Sequence, residues 1–135
     1  MNKCGKYCLG CPFIMEAKEV IGNNFTWNIL KPYNCDTSNI VYMVSCNKEY
    51  CREQYIGESD RNFRTRILEH IGYVRNKNIK KATGFHFSQP GHTLQNMKVT
   101  VLEQVKKRNE MYRKERERFH INKFNTFYKG MNRML

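Results

Sequence analysis

Arg66 and His70 stand four residues apart, a spacing that puts both on one face of a helix, one turn apart. They flank an apolar stripe of Phe63, Ile67 and Val74. An arginine at the edge of a core either pairs with a carboxylate or waits for a phosphate. A solvated Arg beside a satisfied core His is the plain alternative. Tyr42 and Tyr55 lie in two apolar runs that read as paired strands, where both rings can converge on one sheet face. Two half-buried aromatics would look the same. Late in the chain, Glu117 shares a helical face with Ile121 and Phe124, and Glu115 with Tyr112 and Phe119. A carboxylate on an apolar stripe is costly to bury unless it meets a metal or a cation. Spacing alone does not choose between the two.

The cysteines suggest metal. Cys46, Cys51, His86 and His92 make a C-x4-C and H-x5-H set suited to tetrahedral Zn²⁺. The 34 residues between Cys51 and His86 are too many for a finger, so such a site would pin a strand loop to the element after the first helix. Cys4, Cys8 and Cys11, with the distant Cys35, could form a second, Cys₄ site, against free thiols or a disulfide. The longest apolar run, residues 40–44, falls far short of the roughly 18 residues of a membrane span. Residues 1–14 hold three Cys and two Lys and no continuous apolar stretch, unlike a secretory signal. These features point to an intracellular protein with reduced thiols; a small secreted basic protein with disulfides is the alternative.

The elements that must position these residues follow from pattern. Residues 1–38 form a Cys-marked annex with a short strand near 26–29, and residues 39–135 form the main domain. Residues 40–44 suit a strand buried on both faces, and Gln54 to Gly57 a second strand, giving an antiparallel hairpin. A helix follows, with Asp60 as its expected N-cap. A short element spans 82–87, residues 96–103 alternate as a third strand, and a long charged helix covers about 107–126. The order predicts an α+β fold: a small three-stranded, mainly antiparallel sheet flanked by helices.

The chain has 135 residues, enough for one domain with a small annex. Its 24 Lys and Arg against 12 Asp and Glu give a net charge of +12, which favours polyanion partners, nucleic acid first and an anionic membrane surface second. Residues 98–135 carry eleven Lys and Arg against four Glu, and Arg61, Arg64, Lys77, Lys80 and Lys81 extend that basic surface. Binding through phosphates, with steep salt dependence and weak base preference, is the expected mode.

Tyr42, then Tyr55-Ile56-Gly57, Arg66-x3-His70, a late-helix Glu and Gly130-x-Asn132 form an ordered series that resembles the GIY-YIG nucleases. Closer in, the chain resembles the endonuclease domain of Penelope-like retroelements. That likeness lies in residues 39–46, the run Gln54 to Glu58, His86-Phe87 with Gly91-His92, Arg116-Glu117-x3-Ile121, and the head Cys4-x3-Cys8-x2-Cys11-Pro12-Phe13-Ile14. The resemblance implies a GIY-YIG fold and a metal-dependent DNA endonuclease that nicks target DNA for insertion. In that register Glu117, not Glu115, holds one Mg²⁺ or Mn²⁺. Tyr42 is then the general base, Arg66 grips the phosphate, Tyr55 and His70 orient the water or phosphate, and Asn132 ties the C-terminus to the site. Cys46, Cys51, His86 and His92 bind structural Zn²⁺. The implied partners are DNA and the reverse transcriptase domain of a parent element, with no membrane, a nuclear place of action, and a monomer or transient dimer. The rival is a non-catalytic, zinc-stabilised nucleic-acid-binding module. The sequence departs from the family in lacking the glycine of the first motif, in the wider Cys46–Cys51 spacing, and in carrying His120 where relatives commonly have Trp.

Overall fold

The structure, a computed structural model, describes residues 1–5, 7–22, 24–106 and 109–133. Its centre is a three-stranded antiparallel sheet in the order β4-β3-β5, built from β3 (Ile40–Cys46), β4 (Gln54–Ser59) and β5 (Met97–Gln104). The fold is α+β. As the unbroken apolar run requires, β3 is central and buried on both faces: Ile40, Val41, Tyr42, Met43 and Val44 are all fully sealed.

Alternation along β3 divides the core in two. Ile40, Tyr42 and Val44 face α1 (Phe63–Arg75), which contributes Phe63, Ile67, Ile71 and Val74. Val41 and Met43 face the other way, toward α3 (Glu110–Phe124), with Ile56, Leu102 and Phe124. The short α2 (Ala82–Phe87) packs on α1.

Several boundaries differ from the sequence reading. The N-cap of α1 is Asn62, not Asp60: its side chain accepts from the Thr65 backbone N–H at 3.0 Å. Asp60 lies one bend too early to reach those amides. The third strand begins at Met97, one residue later than expected. The expected helix 107–126 begins, in the described part, at Glu110 and stops at Asn125, whose left-handed φ of 55° breaks it from the short α4 (Thr126–Lys129). Residues 107 and 108 lie outside the described residues. Residues 26–29 do contain a strand, β2 (Thr26–Asn28), but its partner β1 (Glu19–Ile21) gave no signal, being three residues long.

Both sheet edges are covered, which blocks further strand addition. On the β5 side, Ile14 bridges Val99, Met15 N–H donates to the Val99 carbonyl at 2.8 Å, and Trp27 Nε1 donates to the Leu102 carbonyl at 2.8 Å. On the β4 side the chain after α4 takes over. Met131 N–H donates to the Gln54 carbonyl, and the Asn132 amide pairs with the backbone of Ile56 at both its oxygen, 2.7 Å, and its nitrogen, 2.8 Å. A bulge on β5 opposite Val41 and Tyr42 brings Glu103 level with Val41, so its carboxylate stands on the α3 side.

Candidate active site and metal clusters

Register places the two tyrosines. Tyr42 pairs with Gly57 and Tyr55 with Val44, so both rings project from one face, one diagonal step apart, with centroids 6.3 Å apart. Gly57 is required here: a Cβ at that position would lie 2.5 Å from the Tyr42 hydroxyl. On α1, Arg66 and His70 share a face and meet this pair. The Tyr42 hydroxyl is hydrogen-bonded to His70 Nε2 at 2.7 Å, and His70 Nδ1 to Thr83 Oγ1 at 2.7 Å. The Arg66 guanidinium lies 5.9 Å from the Tyr42 ring centre and donates to Glu69 Oε1 at 2.9 Å. The same Glu69 oxygen accepts from Arg61 at 2.7 Å.

From the far side of the sheet, α3 crosses β4 and brings Glu117 round the edge. Tyr55, Arg66, His70, Glu117 and Asn132 therefore line one cleft of about 390 Å³, together with Tyr73, Lys80, Lys81, Thr83 and Arg133. Tyr42 does not line it; it is sealed directly behind. Glu115 is exposed on α3. A larger hollow of about 810 Å³ lies on the other side of Arg66, but Glu58 and Arg113 are ion-paired within it and it holds neither His nor Tyr.

The electrostatics of the cleft are unusual. Burial, then the charge of Glu58, pushes the Glu117 carboxyl up to about 7. Among the described residues Glu117 has no hydrogen bond or ion pair. The charges of Lys114, Arg66 and Arg118 act on it only from a distance, and a half-buried carboxylate with no direct partner suits a metal cation. Burial, reinforced by the Arg66 charge, pulls His70 down to about 3, so the ring is neutral. Burial holds the Tyr42 hydroxyl well above its ordinary value, and Tyr55 is raised for the same first reason. Arg66 stays charged despite burial because phenol and carboxylate oxygens surround it.

Two clusters could hold a metal. The ligand atoms of Cys46, Cys51, His86 and His92 all lie within 4.8 Å of one another. Cys51 Sγ is 3.6 Å from His86 Nε2, which is about the S···N edge of a tetrahedron with zinc's usual ~2.3 and ~2.1 Å bonds. His92 Nε2 is buried with no partner, aimed at the group. Both rings are steered from behind: His86 Nδ1 faces Glu53 at 3.7 Å, and His92 Nδ1 faces the Pro90 carbonyl at 3.4 Å. Burial, then His92, pulls His86 down to about 4, which keeps it in the neutral form a metal needs.

Cys4, Cys8, Cys11 and Cys35 form the other cluster, and its four thiols could hold a metal such as zinc. The separations Cys4–Cys11, 3.4 Å, and Cys11–Cys35, 3.7 Å, fit about the 3.8 Å S···S edge of a zinc tetrahedron. Here the structure corrects a sequence expectation. Arg64 does not join the basic surface: it donates to Cys8 at 3.2 Å, to Cys4 at 3.5 Å and to Asp36 at 2.9 Å. A cation suits four thiolates around a dication, which leave a net −2. Burial raises Cys8, but hydrogen bonds, that of Arg64 first, outweigh it and bring the thiol down to about 6.

No protein-family model, curated protein or solved structure matches the chain. Among the described residues, no helix is long and apolar enough to cross a membrane. Sequence reasoning missed Glu69, Thr83, Glu53 and Glu103. Each acts through a neighbour rather than a motif, and a Thr or Glu in a helix or strand carries no spacing signal.

Proposed function

We propose that the chain is a metal-dependent DNA endonuclease domain of the GIY-YIG type and fold. On the closer resemblance to Penelope-like retroelements, it nicks target DNA for insertion beside a reverse transcriptase domain. The observation that carries this reading is the single cleft in which Tyr55, Arg66, His70, Glu117 and Asn132 converge from four separate elements. The basic side chains Lys80, Lys81 and Arg133 on its rim suit a phosphate backbone.

Each residue then has a task. Arg66 grips the scissile phosphate with its planar fork, steered by Glu69. Glu117 holds Mg²⁺ or Mn²⁺. Bound there, the ion supplies Lewis-acid polarisation of the phosphate and charge stabilisation at the leaving 3′-oxygen. Tyr55 faces the water. The resemblance makes Tyr42 the base, yet Tyr42 is sealed from solvent. It would act through Tyr55, whose ring centre lies 6.3 Å away: with substrate drawing the two hydroxyls together, the water proton would pass to the Tyr55 oxygen, that of Tyr55 to Tyr42, and that of Tyr42 to His70 Nε2. Burial is the first cause of the low His70 value and the Arg66 charge the second; a phosphate on Arg66 offsets the second, which makes His70 a better acceptor with substrate bound. Asn132 locks the C-terminal segment against β4 and closes one cleft wall.

Burial of Tyr42 is also the one observation that favours a non-catalytic, zinc-stabilised DNA-binding module. Labelled duplex separates the two. With Ca²⁺ the nuclease binds without cutting, and with Mg²⁺ it cuts. A binding module retains the duplex intact in both.

A further inference from the structure

His70 uses both ring nitrogens, and only one of its two partners has a role in the chemistry above. Tyr42, His70 and Thr83 are 0%, 3% and 1% exposed, so no solvent competes for these bonds. A neutral imidazole has one N–H and one lone pair. The two bonds are therefore linked: if the other nitrogen gives its N–H away, Nε2 is left to accept from Tyr42. That other nitrogen, Nδ1, meets Thr83 Oγ1 at 2.7 Å.

The placement of Thr83 is tightly determined. It is the second residue of α2, and His86 of the Cys₂His₂ cluster follows one turn later on the same helix. Between them Gly84 admits no side chain, because a Cβ there would run into the Asn78 carbonyl. Phe87 anchors the helix end in the core. With six residues, α2 has no room to shift Thr83 without shifting His86.

We propose that Thr83 is a positioning residue: its hydroxyl oxygen accepts Nδ1–H of His70, which leaves Nε2 as acceptor for the Tyr42 hydroxyl, and the metal-bearing end of α2 holds it there. Of the two hydroxyls on His70 the phenol is the stronger donor and the weaker acceptor, so the Tyr42 proton is directed to Nε2 and the Thr83 oxygen is left to accept from Nδ1. The wrong tautomer would present an N–H to Tyr42 and block the proton path. The cluster of Cys46, Cys51, His86 and His92 thus has a second task beyond stability, keeping a histidine of the cleft in one proton state. The effect on rate rests on the nuclease reading; the tautomer does not.

The test is imidazole ¹⁵N NMR on the zinc-loaded full chain, with the His70 signal assigned through His70→Gln. Wild type and Thr83→Ser are expected as the single Nδ1–H tautomer. Thr83→Val is expected to give a mixture or the Nε2–H form, with zinc content unchanged. Nicking by Thr83→Val is expected to fall about tenfold or more, part of the roughly 10²–10⁴ that proton transfer contributes, and Thr83→Ser to restore it. Zinc removal should perturb the His70 signal as Thr83→Val does. If stripping unfolds the chain, His92→Ala, which keeps three ligands, serves instead. An Nε2–H tautomer in wild type, or an unchanged His70 signal in Thr83→Val, overturns the proposal. A His70 signal indifferent to the metal overturns the link through α2. The expected tautomers in a chain that nicks nothing would sustain this proposal and sink the nuclease reading.

Discussion

His70 and His120 are both buried histidines, on opposite faces of one three-stranded sheet, and their surroundings could hardly differ more. His70 is bonded to two hydroxyls, opens onto a cleft, and shares it with Glu117, which has no ion pair or hydrogen bond among the described residues. His120 Nε2 meets Glu103 at 2.6 Å, and Arg116 binds the same carboxylate through Nε and Nη2 at 2.8–3.1 Å. Burial would push Glu103 up, but hydrogen bonds from His120 and Arg116 hold it below the usual carboxylate range. Trp27 and Phe124 close over the ring. The α3 side thus pairs its carboxylate with a guanidinium and an imidazole, leaving only His120 Nδ1 without a partner, and it reads as a structural network. The cleft on the other face instead leaves the Glu117 carboxylate without a direct partner and open to solvent, which costs stability and is the usual mark of a site.

This contrast sets the expected mutational effects. The largest is on chemistry. Glu117→Ala and Arg66→Lys should each lower nicking by about 10³-fold or more, since each removes several kcal/mol of transition-state stabilisation. His120→Ala, measured alongside, should leave nicking per folded molecule within about threefold.

Stability should run the other way. Glu103→Gln should cost about 1–3 kcal/mol in urea unfolding, because Arg116 and His120 lose a part-buried charged partner. Glu117→Gln should instead stabilise the metal-free chain at pH 8 by about 1 kcal/mol, a figure discounted for solvent screening at a half-buried group. The sign follows from linkage: Glu117 titrates higher folded, about 7, than unfolded, so its ionisation opposes folding as pH rises through that window. A destabilised Glu117→Gln would place Glu117 with the structural network.

A third effect concerns acid. His70 is held neutral down to about 3, while the unfolded imidazole titrates near ~6.5. The unfolded chain takes up a proton that the native chain refuses, so stability should fall below pH ~6.5 by about 1.4 kcal/mol per pH unit for this group. His70→Gln should flatten that slope in zinc-loaded protein. The smallest effect is at the rim: Lys80→Ala and Lys81→Ala should each reduce the salt dependence of DNA binding by about one phosphate contact.

Much of this arrangement is legible in the sequence, for stated reasons. The doubly buried β3 is written in five consecutive apolar residues, and the α1 face in the period of Phe63, Ile67 and Val74. Cys46, Cys51, His86 and His92 group by spacing and residue type alone. What is not legible depends on distance or on small geometric choices. The bulge that turns Glu103 toward His120 is one unpaired residue in a regular strand. Arg64 reads as surface charge until Cys4 and Cys8 fold against it. The burial of Tyr42 behind Tyr55 follows from Gly57 opposite it, a close approach that the sequence records only as one glycine.

The most direct test of the account is supercoiled plasmid incubated with zinc-loaded wild type and with Glu117→Ala, each with Mg²⁺, with Mn²⁺ and with EDTA. Metal-dependent nicking by wild type, lost in Glu117→Ala at an unchanged or higher melting temperature, is the expected result. No nicking by folded, zinc-replete wild type, or nicking that survives in Glu117→Ala, would contradict it.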